Sequence, residues 1–309
     1  MPRETPFDRG DHLMERLSRF QRPLFFMAHH DDEIPTAGLL QRLPAGKRCA
    51  WVTNSDGLYT ESDRTPAEYG AMRTAEGLDS VAKAGVPADH VTNLGFSEVE
   101  IYRHLSRLHS GAESMAEARP FFQQIRDRVR ETVLDIRPDA VFTLAWQGGQ
   151  PEHDLAHFFT MLALKDLEKA TGARPEFFHM PAYEYTILVA MRFHPLYRGP
   201  RIRLRLTPDE LAVKMAMMQA YPSQVRLFTD FRKVFRLVGA LGRVTGGPRT
   251  AEEYVTIEEF GPVSAAIDYT RNTHTFDYFT YMFDDFEGVP VTFTKSVRPI
   301  AAAFLKDPG

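Results

Sequence analysis

Short, wholly apolar segments alternate with longer amphipathic segments along the first half of the chain. The apolar segments are typical of strands buried on both faces of a sheet, and they cover residues 23–28, 49–53 and 140–146. A further short strand is expected over 91–96. The amphipathic segments predict helices over 33–43, 65–83, 121–136 and from about residue 152 onward. Strands and helices in this order predict a mainly parallel sheet covered by helices on both faces.

The pattern changes after residue 206, where the chain becomes less periodic and, over 269–293, rich in aromatic residues. Aromatic side chains of this kind fill a core more often than they stack on a substrate. We therefore expect a Rossmann-like three-layer αβα domain over residues 1–230. Residues 231–309 are expected to form a β-rich or mixed C-terminal extension that packs on this main domain.

Composition and charge exclude several classes of protein. The 309 residues include 37 Lys and Arg against 41 Asp and Glu, a net charge of −4, so no basic field attracts nucleic acid. The single cysteine, Cys49, excludes an internal disulfide and a cysteine-based zinc cluster, and it fits a reducing compartment. Residues 1–22 lack the pattern of a signal peptide, and no apolar stretch approaches the roughly 20 residues of a membrane span. We expect a cytoplasmic protein.

Ionisable residues fill positions 29–33, directly after the first predicted strand. Ligands of open α/β sheets bind at the carboxyl ends of the strands, where this run is expected to lie. Burying such a run costs much free energy unless the groups have a partner, and a divalent cation is a suitable partner. His29 and Asp32 are therefore candidate metal ligands, with Asp31 directed at a water molecule on the metal.

A third ligand is needed, because a catalytic zinc usually has three protein ligands and one open position. His153 supplies it from the loop that follows the predicted strand over 140–146. Zinc lowers the pKa of its bound water to about 7, and Asp31 would act as general base for that water. In the alternative interpretation the acidic residues merely cap a helix, but this does not explain the neighbouring histidines.

Residues 28–33, Ala-His-His-Asp-Asp-Glu, resemble the Ala-His-Pro-Asp-Asp-Glu motif of the PIG-L/LmbE-like family of metal-dependent N-deacetylases. Residues 150–153, Gln-Pro-Glu-His, resemble the second motif of that family, His-Pro-Asp-His. Weaker matches include the segment 94–98 and the residues Arg73, Glu76, Lys214, Ser223 and Gln224. The resemblance thus covers about residues 20–230.

The resemblance implies hydrolysis of an N-acyl group, usually acetyl, from a small-molecule amino sugar or glycoside. The implied zinc ligands are His29, Asp32 and His153. Asp31 is implied as the base, while Arg73 and Glu98 match positions that hold the substrate. Two imidazoles and a carboxylate also suit Fe²⁺. Homo-oligomerisation stays open.

Gln150 departs from the second family motif, where the family has a histidine linked to oxyanion stabilisation or proton delivery. Glutamine donates a hydrogen bond but cannot supply a proton near neutral pH. Either Gln150 only steadies the oxyanion while Asp31 returns the proton, or another group such as His157 substitutes.

Two further departures concern residues around the ligands. Glu152 replaces an aspartate and is expected to orient His153 or a neighbouring helix end. His30 replaces a proline, and it either faces the pocket or makes hydrogen bonds behind the ligands.

Other functions stay open beside the deacetylase. The same metal site would serve an amidase that acts on a thiol conjugate or another secondary metabolite, which Gln150 and the aromatic extension favour. The missing histidine also motivates a catalytically silent family member that acts as a binding protein.

Overall fold

The computed structural model describes residues 10–57, 61–182, 191–193, 197, 199–245, 250–271 and 280–308. The first part runs α1 (Gly10–Ser18), β1 (Pro23–Met27), α2 (Ala37–Arg42), β2 (Arg48–Thr53), α3 (Pro66–Lys83), β3 (Val91–Phe96), α4 (Glu98–Ser110), α5 (Met115–Ile136), β4 (Ala140–Leu144), α6 (Pro151–Thr171) and β5 (Glu176–Met180). The second part runs β6 (Ile202–Arg205), α7 (Pro208–Gln219), α8 (Val225–Thr245), α9 (Ala251–Thr256), β7 (Ile257–Pro262), β8 (Thr280–Phe286), β9 (Val289–Thr292) and α10 (Arg298–Lys306).

A mainly parallel sheet forms the centre of the molecule, with the strand order β3-β2-β1-β4-β5-β7-β6. The strands β1 to β5 pair in parallel, while β7 runs antiparallel to both β5 and β6. Helices cover both faces, so the predicted three-layer αβα fold is confirmed. A separate hairpin joins β8 to β9.

Aromatic side chains pack across the middle of the sheet. Phe25 of β1 stacks on Phe142 of β4 at a centroid distance of 5.0 Å, and Phe142 stacks on Phe178 of β5 at 4.8 Å. Neighbouring parallel strands place their register partners on the same face, so one row of rings spans three strands. Strands β1 and β4 are buried along their whole length, as their apolar sequences predicted.

Helix α5 begins at Met115, before the start expected at residue 121. Ser114 and Glu117 form a reciprocal capping box at its first turn. Pro120 then lies inside the helix, where a sequence pattern more often indicates a boundary. The local hydrogen bonds of the cap therefore set the helix start.

The region after residue 230 is mixed in structure and continuous with the main domain. Helix α8 runs through the expected boundary between residues 230 and 231, and β7 pairs with β5, where Phe178 lies opposite Pro262. Residues of β9 and α10, such as Val291 and Phe304, belong to the same apolar core as β1 and β4. Residues 246–249, 272–279 and 309 of the expected extension lie outside the described residues. No helix in the described ranges has the length and apolarity that crossing a bilayer requires.

Glu258 of β7 ties this late strand to the first half of the chain. Its carboxylate accepts hydrogen bonds from the backbone N–H groups of Gly38 and Leu39 at the start of α2, each at 2.9 Å. It also pairs with Lys214 Nζ of α7 at 2.9 Å. Both side chains are buried, so each charge depends on the other for compensation.

We predict that Glu258→Ala lowers the free energy of unfolding by about 3–5 kcal/mol, because it leaves the buried Lys214 without its carboxylate. Urea denaturation followed by circular dichroism measures the loss. Glu252→Ala is the control, since Glu252 is exposed on α9. A loss for Glu258→Ala below about 1 kcal/mol, typical of an exposed ion pair, would contradict this role.

Candidate active site

The turns that follow β1 and β4 bring the candidate metal ligands together. His29 and Asp32 lie in the turn after β1, and His153 lies in the first turn of α6, after the loop that leaves β4. The two strands pair in parallel, with Phe26 opposite Thr143, so both turns leave the same edge of the sheet. Residues far apart in sequence thereby meet.

The ligand atoms form a small triangle. His29 Nδ1 lies 3.2 Å from His153 Nε2, His153 Nε2 lies 3.1 Å from Asp32 Oδ1, and His29 Nδ1 lies 3.5 Å from Asp32 Oδ2. A tetrahedral zinc with ligands at about 2.0–2.1 Å separates them by about 3.3 Å. All three side chains are buried. Their spacing and chemistry therefore fit a single divalent ion.

Electrostatics within the triangle favour an ionised Asp32. Burial alone raises the pKa of this carboxyl, but the adjacent His153 and His29 outweigh that effect and hold the pKa well below its usual range. Burial alone lowers the pKa of His29, yet the charges of Glu98 and Asp32 raise it to about 10. The cluster therefore attracts positive charge, whether a proton or a metal ion.

Asp31 is held beside the triangle by Arg73. Its backbone adopts φ 98°, which is unfavourable for a residue other than glycine and costs about 1–3 kcal/mol. Its Oδ2 atom accepts a hydrogen bond from Arg73 Nη2 at 2.9 Å. Burial raises the pKa of the Asp31 carboxyl to about 7, although Arg73 acts in the opposite direction.

Arg73 itself, a predicted substrate-binding residue, is 2% exposed. Its guanidinium also donates to the carbonyl oxygen of His30 at 2.5 Å, to Glu76 Oε2 at 3.1 Å and to Ser223 Oγ at 3.3 Å. These contacts place it underneath Asp31, surrounded by protein groups. The family motifs had indicated Arg73, but not its contact with Asp31.

Glu33 stabilises the turn, a role that the sequence analysis missed. It is fully buried, and its Oε1 atom accepts hydrogen bonds from Ser80 Oγ at 2.6 Å and from the Tyr221 hydroxyl at 2.5 Å. Its Oε2 atom accepts the backbone N–H of Asp31 at 3.1 Å. Its place directly after the two aspartates was visible in the sequence, but its distant partners were not.

His30 packs behind the turn as a buried ring. Its Nδ1 atom lies 2.8 Å from Ser55 Oγ, and its ring lies 4.5 Å from the Trp51 ring. Burial, aided by the charge of Arg73, lowers the pKa of His30 to about 3. His30 is therefore a neutral packing residue at the position where the family motif has proline.

Glu98 and Glu152 lie beside His29, and the ligand-type atoms of these three residues all lie within 4.8 Å of one another. His29 Nε2 is 3.7 Å from Glu98 Oε1, and Glu98 Oε2 accepts the backbone N–H of Gly57 at 3.1 Å. A histidine that binds metal through one nitrogen usually donates its other N–H to such an acceptor. The sequence predicts that Glu152 orients His153 or a neighbouring helix end, and the structure places its carboxylate close to His29.

Glu152 is an incompletely satisfied carboxylate. Neither of its oxygens has a well-aligned hydrogen-bond partner, although the nearby Tyr102 hydroxyl favours the charged form. Burial and the charge of Glu98 raise the pKa of Glu152 well above its ordinary value. Positive charge at His29 acts in the opposite direction, so the pKa of Glu152 depends on the charge of the neighbouring ligand cluster.

Gln150 and His157 occupy very different surroundings. Gln150 is the N-cap residue of α6, the helix that carries His153, and it is buried. His157 lies in the core, where Nδ1 is 2.7 Å from the carbonyl oxygen of Leu144 and Nε2 is 3.1 Å from the Tyr269 hydroxyl. Since both nitrogens of His157 contact core groups, Asp31 is the better candidate for proton transfer.

Asp154 shapes the loop that precedes α6. Its Oδ1 atom accepts the backbone N–H groups of Gln147 at 3.1 Å and Gly148 at 3.2 Å. Its Oδ2 atom accepts a hydrogen bond from the Tyr281 hydroxyl of β8 at 3.0 Å. Burial raises the pKa of the Asp154 carboxyl to about 8. The loop beside His153 is thus anchored, through Asp154, by Tyr281 of the late strand β8.

Comparison with known protein families gives one match over the region that holds the site. The family model described as PIG-L, GlcNAc-PI de-N-acetylase, matches residues 24–164. This segment includes both turns that carry the metal-ligand candidates. A comparison with curated protein sequences gave no match.

Solved structures with this fold include several enzymes. A deacetylase from the biosynthesis pathway of teicoplanin has a TM-score of 0.56 and 18% identity, over 80% of this chain and 99% of that chain. The N,N'-diacetylchitobiose deacetylase from Pyrococcus horikoshii has a TM-score of 0.50 and 16% identity, over 79% and 84%. The 4-carboxy-2-hydroxymuconate hydratase GalB from Pseudomonas putida KT2440 has a TM-score of 0.51 and 14% identity, over 80% and 98%.

These identities establish a shared fold only, and the hydratase shows that the fold alone does not select the reaction. A structure described as the zinc inhibited form of teicoplanin deacetylase Orf2 has a TM-score of 0.50 and 15% identity, over 80% of this chain and 99% of that chain.

We predict that Asp32→Asn, which keeps the shape of the side chain but removes its charge, reduces bound metal from about one ion per chain to below about one tenth. Elemental analysis of dialysed protein measures this ratio. Asp79→Asn is the control, because Asp79 lies on the surface of α3. Wild-type protein that binds no stoichiometric metal, or Asp32→Asn protein that binds as much as wild type, would refute the ligand set.

Proposed function

We propose that this chain, whose residues 24–164 match the PIG-L family model, is a member of that family and acts as an N-deacetylase, the class of enzyme predicted from its motifs. The proposed substrate is a small N-acylated amino sugar or glycoside, which water converts to the free amine and a carboxylate such as acetate. The observation that supports this proposal is the convergence of His29, Asp32 and His153 beside Asp31.

His29, Asp32 and His153 would hold a divalent ion, and we propose zinc, with Fe²⁺ as the alternative. When bound, the ion supplies positive charge that acidifies water and polarises the amide carbonyl. The buried position of the ligands keeps this charge poorly screened, which strengthens both effects.

Asp31 acts as the general base in this proposal. It accepts a proton from the attacking water as the water oxygen bonds to the amide carbon, and it returns that proton to the amine nitrogen when the carbon–nitrogen bond breaks. Gln150 donates a hydrogen bond to the oxyanion that develops on the carbonyl oxygen. Since glutamine supplies no proton, a single carboxyl serves both transfers.

Arg73 and Glu98 have different tasks. The contact between Arg73 and Asp31 Oδ2 favours a positioning role for Arg73, which fixes the base rather than the substrate. Glu98 is held through Oε2 by the backbone of Gly57, and we propose that its Oε1 atom accepts a hydrogen bond from a sugar hydroxyl. This assignment places the sugar on the side of the site where Glu98 lies.

The direct test is hydrolysis by purified protein loaded separately with zinc and with Fe²⁺. N-acetylglucosamine and its glycosides are offered, and mass spectrometry detects acetate and the free amine. We expect release that a chelator abolishes and that added metal restores. Excess zinc is titrated separately, since one structural relative is described as a zinc inhibited form. Hydrolysis of an amide in a thiol conjugate or another metabolite, without hydrolysis of the N-acetylated sugars, would assign the enzyme to a different substrate class. No turnover of any N-acyl compound would instead indicate a binding protein.

We predict that Asp31→Asn lowers kcat by about 10²–10⁴-fold, because the amide cannot accept the proton of the attacking water. Metal content is measured on the same sample, so that loss of the base is distinguished from loss of the ion. Asp79→Asn again serves as the control. An Asp31→Asn protein that holds metal and keeps full activity would contradict the assignment of the base.

A further inference from the structure

A large cavity lies directly beside Asp31 and Asp32, with a volume of about 630 Å³. Much of its wall comes from α7, α8 and α9, which follow the family-matched segment. Eight of the fourteen side chains from these helices are apolar, among them Met218, Leu227, Phe228, Phe231, Phe235 and Val255. The other six include the charged residues Lys214, Arg232, Arg236 and Glu252. The volume falls within the range of about 300–1,000 Å³ that is typical of ligand pockets. An acetyl group would fill only a small part of it.

Exposed apolar side chains also gather at this cavity. Met215 and Val225 are 41% and 58% exposed, and both line the cavity. Among the described residues, the other large apolar side chain of comparable exposure is Leu305 of α10. Contact between apolar surface and water is unfavourable. An apolar ligand that covers these side chains would therefore bind more tightly.

The cavity and Glu98 define different sides of the site. Asp31 and Asp32 line the cavity, whereas Glu98 and Glu152 do not. Glu98 instead faces His29 Nε2, while the triangle of ligand atoms uses Nδ1. A scissile amide at the triangle, with its sugar toward Glu98, would direct its acyl group past Asp31 into the cavity.

We propose that the N-acyl group of the substrate is a medium-length or long hydrocarbon chain and that this cavity binds it. The inference rests on the proposed function, since the same water attacks the same amide bond and releases a fatty carboxylate in place of acetate. Each methylene buried in the cavity would strengthen binding by about four-fold. Chain length therefore becomes a determinant of specificity.

The test compares glucosamine carrying N-acetyl, N-butanoyl and N-octanoyl groups, with the metal-loaded enzyme and detection of the common product, glucosamine. We expect kcat/KM to rise at least about ten-fold from acetyl to octanoyl. An equal or lower value for octanoyl would overturn this inference and leave the proposed function intact. Release of glucosamine from none of the three would overturn the proposed function itself.

A second series of substrates tests whether the cavity binds a hydrocarbon on the acyl group or one on the sugar. An octyl glycoside of N-acetylglucosamine carries the same hydrocarbon on the sugar rather than on the acyl group. We expect kcat/KM for this compound to stay within about three-fold of the value for N-acetylglucosamine, because the cavity lies on the acyl side. A gain as large as that for N-octanoylglucosamine would show that the cavity binds the aglycone, and would overturn the acyl assignment.

Variants of the wall test the same point. Met218→Trp and Val255→Trp fill part of the cavity, and each is expected to lower the octanoyl-to-acetyl ratio of kcat/KM about ten-fold. Val225→Ser replaces an exposed side chain of the cavity wall, so it should have little effect on folding. It is expected to lower the octanoyl-to-acetyl ratio of kcat/KM about three-fold. Leu305→Trp is the matched control on α10 and should leave the ratio as in wild type. Unchanged ratios in all three wall variants would refute the cavity as the acyl site.

Discussion

The parallel pairing of β1 with β4 is the constraint on which the rest of the site depends. This pairing puts the turn with His29 and Asp32 next to the loop that leads to His153, at one edge of the sheet. The aromatic row formed by Phe25 and Phe142 fixes the two strands in register. A slip of the strands would separate the two histidines and leave the buried Asp32 carboxylate without His153.

A layer of buried ionisable groups surrounds the ligands and holds them in place. Arg73 fixes Asp31, Glu33 accepts the backbone N–H of Asp31, and Asp154 shapes the loop before His153. Each of these groups is buried, so each depends on its partner more than a surface pair would. Such a layer reduces the freedom of the reacting groups and can maintain the unfavourable backbone of Asp31.

The sequence predicted those features that local pattern determines. Strands β1, β2 and β4 are apolar runs, and the candidate ligands lie directly after two of them, so both the fold class and the candidate ligands were accessible. Contacts between distant residues were not, because packing determines them: Tyr221 meets Glu33 across 188 positions, and Arg73 meets Asp31 across 42. The same holds for the late strand β7, which lacks any local signal that it completes the main sheet.

The hydrogen bond from Tyr281 to Asp154 has a consequence for the order in which this protein matures on the ribosome. The two residues are separated by 127 positions, so the loop beside His153 emerges long before the hydroxyl that anchors it. A nascent chain can therefore assemble β1 and β4 while that loop still lacks one of its anchors. The loop beside His153 gains this anchor only after residue 281 has left the exit tunnel.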